Sequence, residues 1–80
     1  MEHYFVYVLK SIPTGRLYKG SCANLELRLY EHNSGKTVST KPFRPWKIVY
    51  FEEFNSRYEA LAREKYFKTA AGRKYLKTIF

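Results

Sequence analysis

Near the start of the chain, Tyr4-Phe5-Val6-Tyr7-Val8-Leu9 is apolar at nearly every position and built almost wholly from aromatic and β-branched side chains. Successive strand residues point to opposite faces, so a strand without polar positions is covered on both sides. The rest of the sequence must therefore supply a layer above this segment and a layer below it. At 80 residues the chain has room for one hydrophobic core, which predicts a single domain over residues 1–80. The aromatic side chains, mostly eight Tyr and six Phe, give that core large surfaces to bury.

Pro13-Thr14-Gly15 is a turn signal, and Arg16-Leu17-Tyr18-Lys19-Gly20-Ser21 can return beside the first strand, ending or bulging at Gly20. Asn24 has the chemistry of an N-cap and Asn33-Ser34-Gly35 that of a left-handed stop, which bounds a helix over residues 25–32. Leu25, Arg28, Leu29 and His32 share one face of it. Residues 35–45 are polar and broken by Pro42 and Pro45, and this surface loop carries Lys36, Lys41 and Arg44 without an acid. Trp46-Lys47-Ile48-Val49-Tyr50-Phe51 reads as a third strand. Ser56-Arg57-Tyr58-Glu59 matches a capping box, so a helix begins near Arg57, with an inward seam through Ala60, Leu61, Phe67 and Ala71. After Gly72, residues 73–80 form one more short helix anchored by Leu76, Ile79 and Phe80. The expected fold is α+β, a small three-stranded, mainly antiparallel sheet flanked by helices in the order β-β-α-β-α-α.

Lys and Arg outnumber Glu to give a formal charge of +8, which favours phosphate polymers as partners. There is no Asp, so Ser-His-Asp triads, paired-Asp metal sites and EF-hand loops are excluded, and carboxylate chemistry falls to Glu. The single cysteine, Cys22, forms no internal disulfide, and with only His3 and His32 beside it no zinc-finger spacing exists. No apolar run approaches the ~20 residues of a membrane span, and no signal peptide is evident, so a reducing, cytoplasmic setting is expected.

Glu64 completes the helical spacing between Ala60, Phe67 and Ala71, which puts a carboxylate in an apolar stripe. Burying a bare carboxylate costs several kcal/mol unless a cation or hydrogen bonds compensate. Two explanations are open: an ion pair with Arg28 or a rim position that reaches water, and a metal ligand. A lone carboxylate suits Mg²⁺, which keeps much of its hydration shell.

Taken together, these residues resemble the GIY-YIG nuclease superfamily, specifically its small stand-alone bacterial members, over essentially the whole chain. Phe5-Val6-Tyr7 and Leu17-Tyr18-Lys19-Gly20 stand where the two name tripeptides would be. The stretch Asn24-Leu25-Glu26-Leu27-Arg28-Leu29-Tyr30-Glu31-His32-Asn33-Ser34-Gly35 resembles the family's first helix, and Glu59-Ala60-Leu61-Ala62-Arg63-Glu64-Lys65 its metal-binding helix. Phe5 replaces the first Gly of the motif and Lys19 its second Ile, and the Asn that many members carry late in the domain has no counterpart in residues 73–80.

The resemblance implies a divalent-metal-dependent endonuclease acting on DNA, with single-stranded and branched forms both open to it, as a monomer or weak dimer. Glu64 would hold Mg²⁺ or Mn²⁺ and Arg28 would grip the scissile phosphate. Tyr7 and Tyr18 would position or deprotonate the water, with His32 assisting proton transfer or holding a tyrosine; which tyrosine is the base is left open. Lys19, Lys36, Lys41, Arg44, Arg63, Lys65 and Lys68 are the expected contacts to the nucleic-acid backbone, and Tyr66 and Tyr75 could stack on bases. Two other readings remain: a nucleic-acid-binding module of the same fold with weak or no turnover, and a basic structural protein docking on RNA.

Overall fold

The structure, a computed structural model, describes residues 3–80. Strand β1 (Tyr4–Ser11) is central in a three-stranded sheet of order β2-β1-β3, with β2 (Leu17–Cys22) and β3 (Trp46–Phe54) antiparallel on either side. Helix α1 (Leu25–Asn33) follows β2, while α2 (Arg57–Phe67) and α3 (Ala70–Lys77) follow β3.

The uninterrupted apolar character of β1 is used as its composition requires. Tyr7 and Leu9 join Trp46 in a core on one side of the sheet, closed by Leu25 and Leu29 of α1 and by Phe43 from the loop. Val6 and Val8 join Phe67 of α2 and Leu76 of α3 in a second core on the other side. Val6, Val8, Leu9 and Phe67 are essentially inaccessible to water, and burying side chains of this size stabilises by about 1.5–3 kcal/mol each.

Local signals fix the helix ends. Asn24 accepts from the amide of Leu27, Ser56 from that of Glu59, and Gly35 takes the left-handed conformation (φ 86°) beyond α1. Leu25, Arg28, Leu29 and His32 do form the inward face of α1. Several details differ from expectation: β2 passes through Gly20 without a bulge and ends at Cys22, and Ile79 and Phe80 lie exposed beyond the end of α3 at Lys77. Strand β3 runs on to Phe54, with a bulge opposite Val8 and Leu9. The last helix starts at Ala70, capped by Thr69, so Gly72 lies inside it; a Cβ there would overlap the backbone of Tyr66 and Phe67, and the residue is glycine to let α3 approach the end of α2. That sharp turn swings Ala71 out to solvent, where Leu61 also lies, and the inward seam of α2 is Ala60, Arg63, Glu64 and Phe67.

Candidate active site

Tyr7, Tyr18, Arg28 and His32 meet on the α1 side of the sheet. Tyr7 stands opposite Gly20 on β2, and a side chain at Gly20 would overlap the phenol, so the glycine of the Tyr-x-Gly sequence is the space in which Tyr7 lies. The Tyr7 hydroxyl is 3.0 Å from His32 Nε2, and His32 Nδ1 is 2.8 Å from Thr40 Oγ1. Thr40 donates its own hydroxyl proton to the carbonyl of Thr37 at 3.3 Å, so it accepts from His32 Nδ1–H. Nε2 is then the acceptor, and Tyr7 is the donor to it. All three side chains are buried.

Charge follows the same logic. Burial pushes the Tyr7 hydroxyl up to about 12, against the pull of the nearby Arg28, so it keeps its proton. Burial first, and Arg28 second, pull His32 below its ordinary value and leave it a neutral imidazole. Arg28 donates from Nε to Tyr7 at 3.4 Å and from Nη1 to Glu31 at 3.0 Å, and these partners hold it firmly cationic. The Tyr18 ring packs edge-on to His32 at 4.9 Å and is only half-buried. Beside Arg28, a cleft bounded by Cys22, Asn24 and Glu31 opens to solvent. Burial raises the pKa of the Cys22 thiol, which leaves it a packing residue.

Glu64 projects from α2 onto the opposite side of the sheet. Its Oε1 accepts from Ser21 Oγ at 2.7 Å and its Oε2 from Lys68 Nζ at 2.8 Å. The compensating cation is thus Lys68, one helical turn on, and not Arg28. Glu64 nevertheless belongs to the same end of the sheet: Ser21 sits on the edge strand β2 between Gly20, which faces Tyr7, and Cys22, which borders Arg28. One strand separates the carboxylate from the tyrosine cluster.

The carboxylate suits a hydrated hard cation. It is mostly enclosed, one oxygen is oriented by a hydroxyl, and the other faces the ammonium of a side chain that is 55% exposed. Among the described residues no group of three or more His, Cys, Asp or Glu converges on a metal position. A cation held through one carboxylate and water needs none.

A family model described as the GIY-YIG catalytic domain matches residues 3–76. The chain belongs to the GIY-YIG family. The UPF0213 protein of Staphylococcus saprophyticus is 39% identical over 80 residues, 99% of this chain and 96% of the relative. That of Staphylococcus haemolyticus is 40% identical with the same coverage. The solution NMR structure of the UPF0213 protein of Bacillus halodurans matches with a TM-score of 0.57 at 28% identity, covering 96% of this chain and 82% of that one. The fold is therefore of the nuclease type, and these relatives are small stand-alone proteins whose names assign no activity.

The other cations of this GIY-YIG domain fall into separate groups. Lys36, Lys41 and Arg44 are exposed on the loop after α1, where the Arg44 Nε donates to the carbonyl of Lys41 at 2.9 Å. Lys19 lies on the Glu64 side of β2, close enough to Lys68 and Arg73 for their charges, after partial burial, to lower its pKa. Lys65 is exposed on α2. Arg63 points inward: it forms a two-point ion pair with Glu52 at 2.8 and 3.2 Å and stacks over Tyr66, Phe67 and Tyr75. Tyr75 is itself stacked on Phe67, so Tyr66 and Tyr75 are occupied by the core of the α2–α3 pair.

Several residues that build the site carry no signal in the sequence. Thr40 fixes the His32 tautomer and Ser21 orients Glu64, yet each is an ordinary hydroxyl in a polar stretch. Asn33 receives the amide of Trp46 at 2.7 Å and donates to its carbonyl at 3.1 Å, closing the loop onto β3 as a strand would. Of these, only Asn33 had a local hint, and its left-handed-stop chemistry pointed elsewhere.

Proposed function

We propose that residues 1–80 form a single endonuclease domain that hydrolyses DNA phosphodiester bonds with Mg²⁺ or Mn²⁺, acting in the cytoplasm as a monomer or weak dimer. The observation that carries the reading is the convergence of Tyr7, Tyr18, Arg28 and His32 into one bonded cluster behind the edge strand from which Ser21 reaches Glu64. No helix among the described residues is long and apolar enough to cross a membrane, and the net charge of +8 suits a polyanionic substrate.

Within this reading the two tyrosines divide the work. Tyr7 is enclosed, protonated and committed to His32, so it positions its neighbours. Tyr18, half-exposed against His32, is the phenol that orients the attacking water, and as the phenolate it would take that water's proton and become the neutral phenol. The guanidinium of Arg28 has more N–H donors than Tyr7 and Glu31 use, and the remainder bind the phosphoryl oxygens as negative charge accumulates on them. Glu64 would hold the divalent cation through the carboxylate that Lys68 now pairs with, and that cation would supply positive charge for the departing oxygen.

The test is nicking of supercoiled plasmid and cleavage of single-stranded DNA with Mg²⁺ or Mn²⁺, by the wild type and by Glu64→Gln. The variant should lose about 100-fold or more in rate while still binding DNA, as expected when a transition-state interaction is removed. Equal rates would take Glu64 out of the mechanism. The Lys68 ion pair favours one second reading, a binding module whose carboxylate is structural; salt-sensitive DNA binding by a wild type that never cleaves with either metal would support it.

A further inference from the structure

On the Glu64 side of the sheet, the edge strand β2 and helix α3 leave a cleft of about 250 Å³ between them, lined by Leu17, Lys19, Arg73, Leu76, Lys77 and Phe80. Three of these are cations, three are apolar, and none is an acid. Leu76 is buried and forms the floor, while Leu17 and Phe80 are each more than 40% exposed and form the walls. The Phe80 ring is steadied by an edge-on contact with Tyr50, their centroids 6.3 Å apart. We infer that this cleft is a subsite for one unpaired nucleotide of a DNA strand, its base against Leu17, Leu76 and Phe80 and its flanking phosphates on Lys19, Arg73 and Lys77.

Charge and shape together select that occupant. No side chain lining the cleft is acidic, and Lys19, whose pKa is lowered first by partial burial and then by the charges of Arg73 and Lys68, gains a compensating partner when an anion arrives. Phosphate alone leaves the apolar walls in contact with water. Paired bases within a duplex are stacked and present mainly sugar and phosphate outward, so only an unpaired base can cover Leu17 and Phe80. The cleft volume is just below the range of pockets for drug-sized ligands, which suits one base. Continuity with Glu64 is direct, since Lys68 bonds the carboxylate and also bears on Lys19. The strand would thus run along β2 from the carboxylate beside Ser21 to the cleft beside Lys19 and Leu17, which places the subsite near the bond to be cut.

The inference rests on the nuclease reading for the identity of the polymer, and its test is independent of cleavage. Fluorescence anisotropy in EDTA would compare a labelled oligothymidylate with a labelled duplex, for the wild type, Phe80→Ala and Arg73→Gln/Lys77→Gln. Losing the aromatic wall should weaken single-strand binding about tenfold and leave duplex binding unchanged, whereas the double variant should weaken both and flatten the salt dependence. Because Phe80 also touches Tyr50, the wild type would be titrated in parallel with the dinucleotide pTpT and with inorganic phosphate, following its amide NMR signals. Shifts at Leu17, Lys19 and Leu76 with pTpT and not with phosphate are expected. Equal losses on single strand and duplex in Phe80→Ala, shifts confined to other residues, or identical shifts with phosphate would each overturn the subsite. Retained binding here with no cleavage anywhere would sink the nuclease reading and leave the subsite standing.

Discussion

At the scale of single residues, a continuous line of hydrogen bonds runs from Thr40 through His32 to Tyr7 and Arg28. Thr40→Val would leave the buried Nδ1–H of His32 without an acceptor, at a cost of about 1–3 kcal/mol in urea unfolding. The same imidazole gives a pH dependence whose sign is fixed. Its folded-state pKa lies below the ordinary 6.5, so as pH falls through that value the unfolded chain takes up the proton first. Stability should fall below about pH 6.5 and level off once the folded protein also protonates, and His32→Gln should lack this component when unfolding is compared at about pH 7.5 and about pH 5.5. The sequence revealed part of this cluster. Helical period put Arg28 and His32 on one face, and the interruption of an apolar stripe singled out Glu64. Its true cation, Lys68, was also within reach of that reasoning as the residue one turn on. Thr40 and Ser21 were not, because a hydroxyl acquires its role only when a distant chain segment is folded against it.

Elements were legible wherever their boundaries are set by neighbours in sequence. The Ser56 capping box and the Asn24 cap fix α2 and α1 locally, and β1 is defined by its own composition. The start of α3 was hidden because Gly72 resembles a helix stop, while its purpose is to admit the backbone of Tyr66. Gly72→Ala should therefore destabilise far beyond any gain in helix propensity, since the neighbour it meets is main chain. Thr69→Ala, which removes the cap to the Gly72 amide, should cost about 1 kcal/mol by the same unfolding measurement. The loop between α1 and β3 was correctly expected at the surface, but its anchorage escaped notice. It is pinned by the His32–Thr40 side-chain bond and by the two bonds of the Asn33 side chain to the Trp46 backbone, which join residues 8 and 13 positions apart.

For the whole molecule, the sheet separates two chemistries: a neutral, bonded tyrosine–histidine cluster under α1, and a carboxylate set in a basic surface under α2 and α3. In the proposed reaction a substrate would reach both by passing around β2, an edge strand with no further neighbour among the described residues. The charge of +8 should make DNA binding fall steeply as salt rises, and Lys19→Gln should lower that slope. Hydrolysis at this site would require Glu64 to accept a divalent ion in place of Lys68. Titration of Mn²⁺ into the labelled protein, followed by paramagnetic broadening of its amide NMR signals, tests this directly. Broadening centred on Ser21, Glu64 and Lys68 that disappears in Glu64→Gln is the predicted result; broadening that is absent there, or that survives the substitution, would contradict it.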